Sequence, residues 1–501
     1  MTTAFDLLLA KVNEIHDLQK IQALLSWDRE VNMPPAGISA RTQQMTTLNR
    51  LVHAMQTSPE MGELIENAAA SLNGADYDSF AASLIRFLRR DYEINTKLPP
   101  EFVARRTQIS AQANVAWKSA REQNDFAIFQ PWLAQVVGLG QEMAELYGYE
   151  DEKYDPLLDK FEQDARTADV RAVFDAVKAA TVPLLRAIQE RGRPVDSRIL
   201  YQPYDVAQQQ AFARTIAAAV GYDFNSGHLG TATHPFATSF SRHDARITTR
   251  WYADFLNPSL FGTLHESGHA MYEQGTGEEL ARTPLARGAS SGIHESQSRM
   301  IENNIGRSLG FWRVHFPSLQ AHFPAALGAA TVEEFYHAIN KVQPSYIRVE
   351  ADELTYNLHI ILRFELEQGL INGDLATADV PAAWNDKMQE LLGITPPTDR
   401  EGCLQDIHWS RPSFGYFPTY ALGNLYAAQF FEAAQTQNPT IREDLENGNP
   451  ASMLQWLRQN IHQHGRKYTP AELVQRATGQ PLTHEPFVRY VTAKFSQIYG
   501  L

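Results

Sequence analysis

Thr263-Leu264-His265-Glu266-Ser267-Gly268-His269-Ala270-Met271-Tyr272 is the stretch on which this sequence turns. It reads H-E-x-x-H. Residues four apart on a helix share a face, so His265 and His269 can both reach one Zn²⁺. Glu266, one position on, is turned toward the edge of that face. From there its carboxylate can meet a water beside the metal, as a general base must. The flanks ask for a helix: Asn257-Pro258 reads as cap and first turn, Leu260, Phe261 and Leu264 form an apolar stripe, and Gly275 with Gly277 offers a stop. A helix carrying two ordinary histidines fits the same five residues, so the rest of the chain has to decide.

Bulk properties narrow the field. The 501 residues carry a net charge of −14, with 44% hydrophobic and 20% charged residues, the balance of a folded globular protein. An acidic chain lacks the clustered basic surface that phosphates require, so nucleic acid and anionic membrane are not expected partners. No apolar run approaches a membrane span, and Met1 to Ala10 has no basic region and carries Asp6 within its apolar stretch, unlike a signal peptide. Cys403 is the only cysteine, which fits a reducing, cytoplasmic setting and leaves His and carboxylates to build any metal site.

Helical periodicity dominates the chain. It runs over 4–32, resumes after Pro34-Pro35 across 38–72, and returns in 84–92, from Pro99-Pro100 through Trp117, and over 129–147. Tyr154 to Leu158 reads as a loop, Thr167 as the cap of a helix to about Arg191, and 208–220 as another helix. Between 221 and 256 the pattern changes. Small and hydroxylated residues, then Arg246-Ile247-Thr248-Thr249-Arg250-Trp251-Tyr252, predict a small sheet with 246–252 as a strand whose edge can hold an extended peptide. Helices follow over 291–309, 332–342, 352–369, 381–392, 420–436, 451–463, 470–478 and 485–499. The expected class is mainly α with a minor sheet.

A catalytic zinc takes a third protein ligand. Gly292-Ile293-His294-Glu295-Ser296-Gln297-Ser298-Arg299 offers Glu295, with His294 and Glu302 as competitors, and Glu295 could equally pair with Arg299 four residues on. Arg348, in Ile347-Arg348-Val349-Glu350-Ala351-Asp352-Glu353, has the planar fork that suits a carboxylate, while the acids beside it suit a helix start. Asp406-Ile407-His408-Trp409 and Gly415-Tyr416-Phe417-Pro418-Thr419-Tyr420 can present donors to a developing oxyanion. Trp409, Phe414 and Phe417 are read as packing. His234, His359, His462 and His464 are read as satisfied or exposed, although His234 could hydrogen-bond a substrate.

Together, His265-Glu266-x-x-His269, His294-Glu295-Ser296-Gln297, Ile347-Arg348-x-Glu350-Ala351-Asp352 and His408-Trp409 through Tyr420 resemble the carboxypeptidase M32, or carboxypeptidase Taq, family. So do His234-Pro235-Phe236, Asp244-x-Arg246-Ile247-Thr248-Thr249, Trp27-Asp28, Asn32-Met33-Pro34, Ile461-His462 and Tyr490-x-x-x-Lys494. The resemblance spans the chain. It implies a metallocarboxypeptidase that removes single residues from peptides with a free C-terminus, using Zn²⁺, with Co²⁺ preferred by several members in vitro. It further implies a neurolysin- and angiotensin-converting-enzyme-like helical body with a deep groove, and a homodimer. Carried over by position, His265, His269 and Glu295 are metal ligands and Glu266 the base. Arg348 receives the substrate carboxylate, while His408 and Tyr420 support the intermediate, with Tyr416 close by. On this reading residues 1–501 form a single peptidase domain, two lobes around a cleft, with active-site segments 234–308, 347–356 and 402–424. An endo-oligopeptidase and a non-catalytic peptide-binding protein are the alternatives. Arg411-Pro412 departs from the usual glycine, and Glu162-Gln163-Asp164-Ala165 from the usual Glu-Pro-Gly-Met.

Overall fold

Helix boundaries follow the local punctuation of the chain. In the computed structural model, which describes residues 2–72 and 74–501, 68% of the chain is helical. The first helix, Ala4–Val31, opens on a capping box in which Thr3 and Asp6 satisfy each other's backbone N–H. The run expected over 38–72 is two helices, Ile38–Gln56 and Pro59–Ser71, because Pro59 cannot donate and Ser58 caps the second by accepting from Met61 N–H. Tyr154 to Leu158, expected as a loop, enters a short helix, Asp155–Asp159, with Pro156 in its first turn where a missing N–H costs nothing.

Two departures bear on the site. The helix expected over 291–309 is Ser291–Arg299 followed by a π-helical turn, Met300–Ile305, and a separate helix Leu309–His322 capped by Ser308. The helix expected from Asp352 begins at Tyr356 and runs to Asn372. Ahead of it Arg348–Glu350 is a 3-10 turn, and the Asp352 carboxylate accepts from the N–H groups of Gln343, Leu354 and Thr355. A side chain that caps loop amides in this way competes with the helix ladder, which explains the late start.

The sheet has three strands, β1 (Leu229–Thr231), β2 (Ala237–Ser241) and β3 (Asp244–Thr249), in the order β1-β3-β2. β1 runs parallel and β2 antiparallel to β3. The strand expected over 246–252 is therefore central, with both edges occupied, and it ends at Thr249. β1 and β2 are the two edge strands, and β2 lies antiparallel to the central one. Thr248 N–H donates to Phe236 C=O, and by antiparallel alternation the backbone groups of Ala237 and Ser239 point away from β3. On that outer side Lys20, from the first helix, donates to the Ser239 carbonyl at 2.8 Å.

One large apolar cluster runs through the helices on both sides of the His265 segment, with Trp312, Trp384 and Phe364 wholly buried. A smaller one joins Leu8, Val12, Met61, Ile65 and Leu84 of the N-terminal helices to Leu280 and Leu285. Among the described residues, no helix is long and apolar enough to cross a membrane.

Candidate metal centre and substrate groove

His265 and His269 lie on the helix Asn257–Gln274, which starts without a side-chain cap and ends at Gly275 as the sequence suggested. Asn257 is not the cap but the first helical residue. Glu295 lies on Ser291–Arg299. The two helices touch at Gly268, where a Cβ would stand 2.4 Å from the Gln297 carbonyl oxygen and 2.6 Å from Ser298 Cα. A third helix, Pro418–Gln437, closes from the other side at Gly423, whose Cβ would meet Glu295 Cγ at 2.5 Å. Two glycines thus set the spacing that brings the three side chains together.

The Glu295 Oε2 atom lies 3.3 Å from His269 Nε2 and 3.7 Å from His265 Nε2, and one donor atom from each residue lies within 4.8 Å of the other two. Ligands of a tetrahedral ion bound at about 2.1 Å stand about 3.4 Å apart, so the set fits a small divalent cation. Its chemistry fits as well. Glu295 gives its other oxygen to Arg299 Nε at 2.7 Å, so the expected ion pair and a metal-directed oxygen coexist on one carboxylate. Burial alone would raise the Glu295 carboxyl, but Arg299 and His265 outweigh it and hold the group well below the carboxylate range. Burial works against charge on His265 too, yet Glu295 and Glu302 overcome it and raise its pKa, a sign that the carboxylates make the site attractive to positive charge. Glu266 is 6% exposed, and burial pushes its carboxyl up to about 7.

The competitors for third ligand sit behind the histidines. Glu302, carried on the π turn, meets His265 Nδ1 at 2.9 Å and is held by Arg299 and Arg307. His294 Nδ1 meets His269 Nδ1 at 2.6 Å, and its Nε2 meets Glu273 at 2.9 Å. Gln297 takes His462 Nε2 at 2.8 Å, which ties the C-terminal His462 to the same helix pair.

Arg348 belongs to a second cluster. It is 6% exposed, donates to Asp406 at 2.8 Å, and gives Nη1 to the Tyr356 hydroxyl at 3.0 Å. Arg363, wholly buried, holds the other Asp406 oxygen through Nε at 2.7 Å and through Nη2. Two guanidiniums share one carboxylate, an excess of one positive charge. His408 stands 3.8 Å from Asp406, its Nδ1 buried without a partner, and burial lowers its pKa to about 4, so the ring is neutral. The Arg348 guanidinium lies 5.0 Å over the Tyr420 ring, and the Tyr416 ring stacks on His408 at 5.6 Å. Both phenols feel the charge of Glu295. The clusters join through Arg299, which lies 4.1 Å over the Tyr356 ring.

His234 is exposed in the link between β1 and β2 and belongs to neither cluster. His359, read as satisfied or exposed, is completely buried and neither ring nitrogen has a hydrogen-bond partner; burial and the nearby charges of Arg363 and Arg348 hold its pKa well below the usual histidine range. Trp409, Phe414 and Phe417 pack in the core as expected. Three contributors were not singled out from sequence: Arg363, Tyr356 and Glu162. The buried Glu162 accepts from Ser290 Oγ, Gly292 N–H and Tyr426 OH at 2.9, 3.0 and 2.9 Å, pinning the start of the Glu295 helix. Nearby Asp164, where the usual pattern has glycine, adopts φ 64° and keeps the turn, its N–H held by Asp159 at 2.8 Å.

Comparison with known proteins agrees with this geometry. The pattern of the carboxypeptidase Taq (M32) metallopeptidases matches residues 7–495. Thermostable carboxypeptidase 1 of Thermus thermophilus is 41% identical, over 99% of both chains. Carboxypeptidase 1 of Bacillus subtilis is 36% identical, over 99% of this chain and 98% of its own. The crystal structure of the M32 carboxypeptidase from Deinococcus radiodurans superposes with a TM-score of 0.96 at 38% identity, covering 99% of this chain and 100% of that one. This chain belongs to the carboxypeptidase Taq (M32) family and is a metallocarboxypeptidase, a peptide hydrolase.

Proposed function

We propose that His265, His269 and Glu295 hold a Zn²⁺, replaceable by Co²⁺, and that the enzyme removes the last residue of peptides with a free C-terminus, with broad tolerance for that residue. A cation held there would supply the acidification of a water and the polarisation of the scissile carbonyl. Glu266 takes the proton of the attacking water and returns it to the leaving amine; its buried carboxyl, near pH 7 in affinity, suits both transfers. His408, neutral, and Tyr420 donate hydrogen bonds to the carbonyl oxygen as charge develops. Arg348 receives the terminal carboxylate. The unpaired positive charge of the Arg348–Asp406–Arg363 cluster is the observation that carries this exopeptidase reading, since a substrate carboxylate completes it. Ala237 and the Ser239 N–H of β2, rather than β3, pair with the peptide backbone, the Ser239 carbonyl being held by Lys20, and His234 lies at the approach to that strand.

We further propose that residues 1–501 form one peptidase domain of two lobes, a reading supported by the separate N-terminal apolar cluster. A homodimer in the cytoplasm is the assembly and setting the family resemblance and the single buried Cys403 favour. Mass spectrometry of digested peptides tests the central reading. A ladder of single-residue losses from free but not amidated C-termini is expected with zinc present at one ion per chain; internal fragments refute it. Sedimentation of the purified enzyme as a monomer would refute the dimer.

A further inference from the structure

The two histidines of the H-E-x-x-H helix are supported unequally. Behind His265 stands a carboxylate, Glu302, at 2.9 Å. Behind His269 stands another imidazole, His294, in a contact of 2.6 Å between two Nδ1 atoms. Only one proton fits in that contact, because two N–H groups would collide and two lone pairs would repel.

If His269 offers Nε2 to the cation, its proton must be on Nδ1, so it donates to His294. His294 must then accept at Nδ1 and carry its own proton on Nε2. That proton points at Glu273 Oε1, 2.9 Å away. Every direction in the chain His269 to His294 to Glu273 is fixed by one condition at its inner end and one carboxylate at its outer end. At the outer end Glu273, on the His269 helix, makes its one side-chain hydrogen bond among the described residues to His294, and the nearby charges of Lys20 and Arg287 also favour its carboxylate form. The His294 ring is held in place by Gly288, where a Cβ would stand 2.7 Å from its Cδ2, and by the flanking Tyr272 ring at 5.3 Å.

We propose that His294 and Glu273 are positioning residues for the cation. Glu273 selects the tautomer of His294, and His294 thereby holds His269 with its Nε2 lone pair free and aimed. This rests on the reading of His265, His269 and Glu295 as ligands. Outer-shell partners of this kind are worth about 10–100-fold in metal affinity.

The test is chelator competition for Zn²⁺ on the full-length enzyme, with cation-free melting as a check on folding. His294→Leu removes the acceptor, and affinity should fall about 10–100-fold. His294→Asn can restore an acceptor near Nδ1 and should recover most of that loss, which a role in packing alone would not allow. Glu273→Leu should weaken binding about tenfold, whereas Glu273→Gln, still an acceptor for His294 Nε2–H, should stay within about threefold of wild type. The Glu273 pair carries the test if His294→Leu does not fold. Affinities within twofold of wild type for both leucine variants, or an asparagine variant as weak as the leucine one, would overturn the proposal. Failure of the ligand reading looks different: His269→Ala would then still bind one ion per chain.

Discussion

His265, His269 and Glu295 stand on two regular helices, whereas Arg348 and His408 stand on 3-10 turns and Asp406 in the loop just before the second. In the first region lone pairs converge on one point with no proton donor among them. In the second, guanidinium N–H groups outnumber the carboxylate oxygens they face. One region is short of a cation and the other of an anion, and the proposed placement of the peptide rests on that complementarity. Regular helices suit the first because ligand atoms must be fixed to a few tenths of an ångström. The second needs charge more than register, and buried turns tied to Asp406 supply it.

The sharpest way to break this contrast is Glu266→Gln. Turnover should fall about 10³- to 10⁴-fold with metal still bound, measured by kcat beside metal analysis; substantial residual activity would remove Glu266 as the base. The same residue sets a pH dependence. A base works unprotonated, and burial raises Glu266 to about 7, so activity should fall as pH drops through an acid limb at or below about 7, where a neighbouring cation moves it downward. Next in size is Arg348→Ala. Arg363 still holds Asp406 and the cluster becomes neutral, so preference for free over amidated C-termini should drop by about 10²-fold, roughly 3 kcal/mol.

Gly268→Ala probes the helix pair. Alanine normally gains up to about 1 kcal/mol over glycine inside a helix, but a Cβ 2.4 Å from the Gln297 oxygen must part the helices, at about 1–3 kcal/mol. Net destabilisation with weakened metal binding, read by melting with and without zinc, is expected; a gain in stability would mean the spacing is not tight. The smallest effect belongs to Tyr356→Phe, which deletes the acceptor for Arg348 Nη1 but keeps the ring under Arg299. KM should rise severalfold, about 1 kcal/mol, with kcat nearly unchanged. Equal losses in both parameters would place Tyr356 closer to the chemistry than to the anchor.

Legibility in the sequence divides along the same line. His265 and His269 follow from a helical spacing, and the helix carrying them keeps its expected stop at Gly275. Glu295 reads as the leading third ligand in sequence, and the structure adds that its rivals His294 and Glu302 each approach an Nδ1 while Glu295 Oε2 faces both Nε2 atoms. Arg363 was hidden inside an apolar run where nothing local marks it, and its partner Asp406 lies 43 residues away. The Glu162 pin reaches 264 residues to Tyr426, a contact no window could read. On the fold side, the break at Ser58-Pro59 was visible in the residues and passed over. The central place of β3, with β1 and β2 at the edges, was not visible, since strand order is a tertiary choice.

The bond from Lys20 to the Ser239 carbonyl has a consequence for how this protein behaves in a crowded solution. An unpaired strand edge that can pair with an extended peptide can also pair with another copy's strand. Lys20 occupies one acceptor on that edge with a charged side chain, and the register slips between Ser239 and Ser241, so the regular open ladder is only about three residues long. On the proposed reading that length aligns a short peptide beside Glu266, and it is too little for a second molecule to zip on and aggregate.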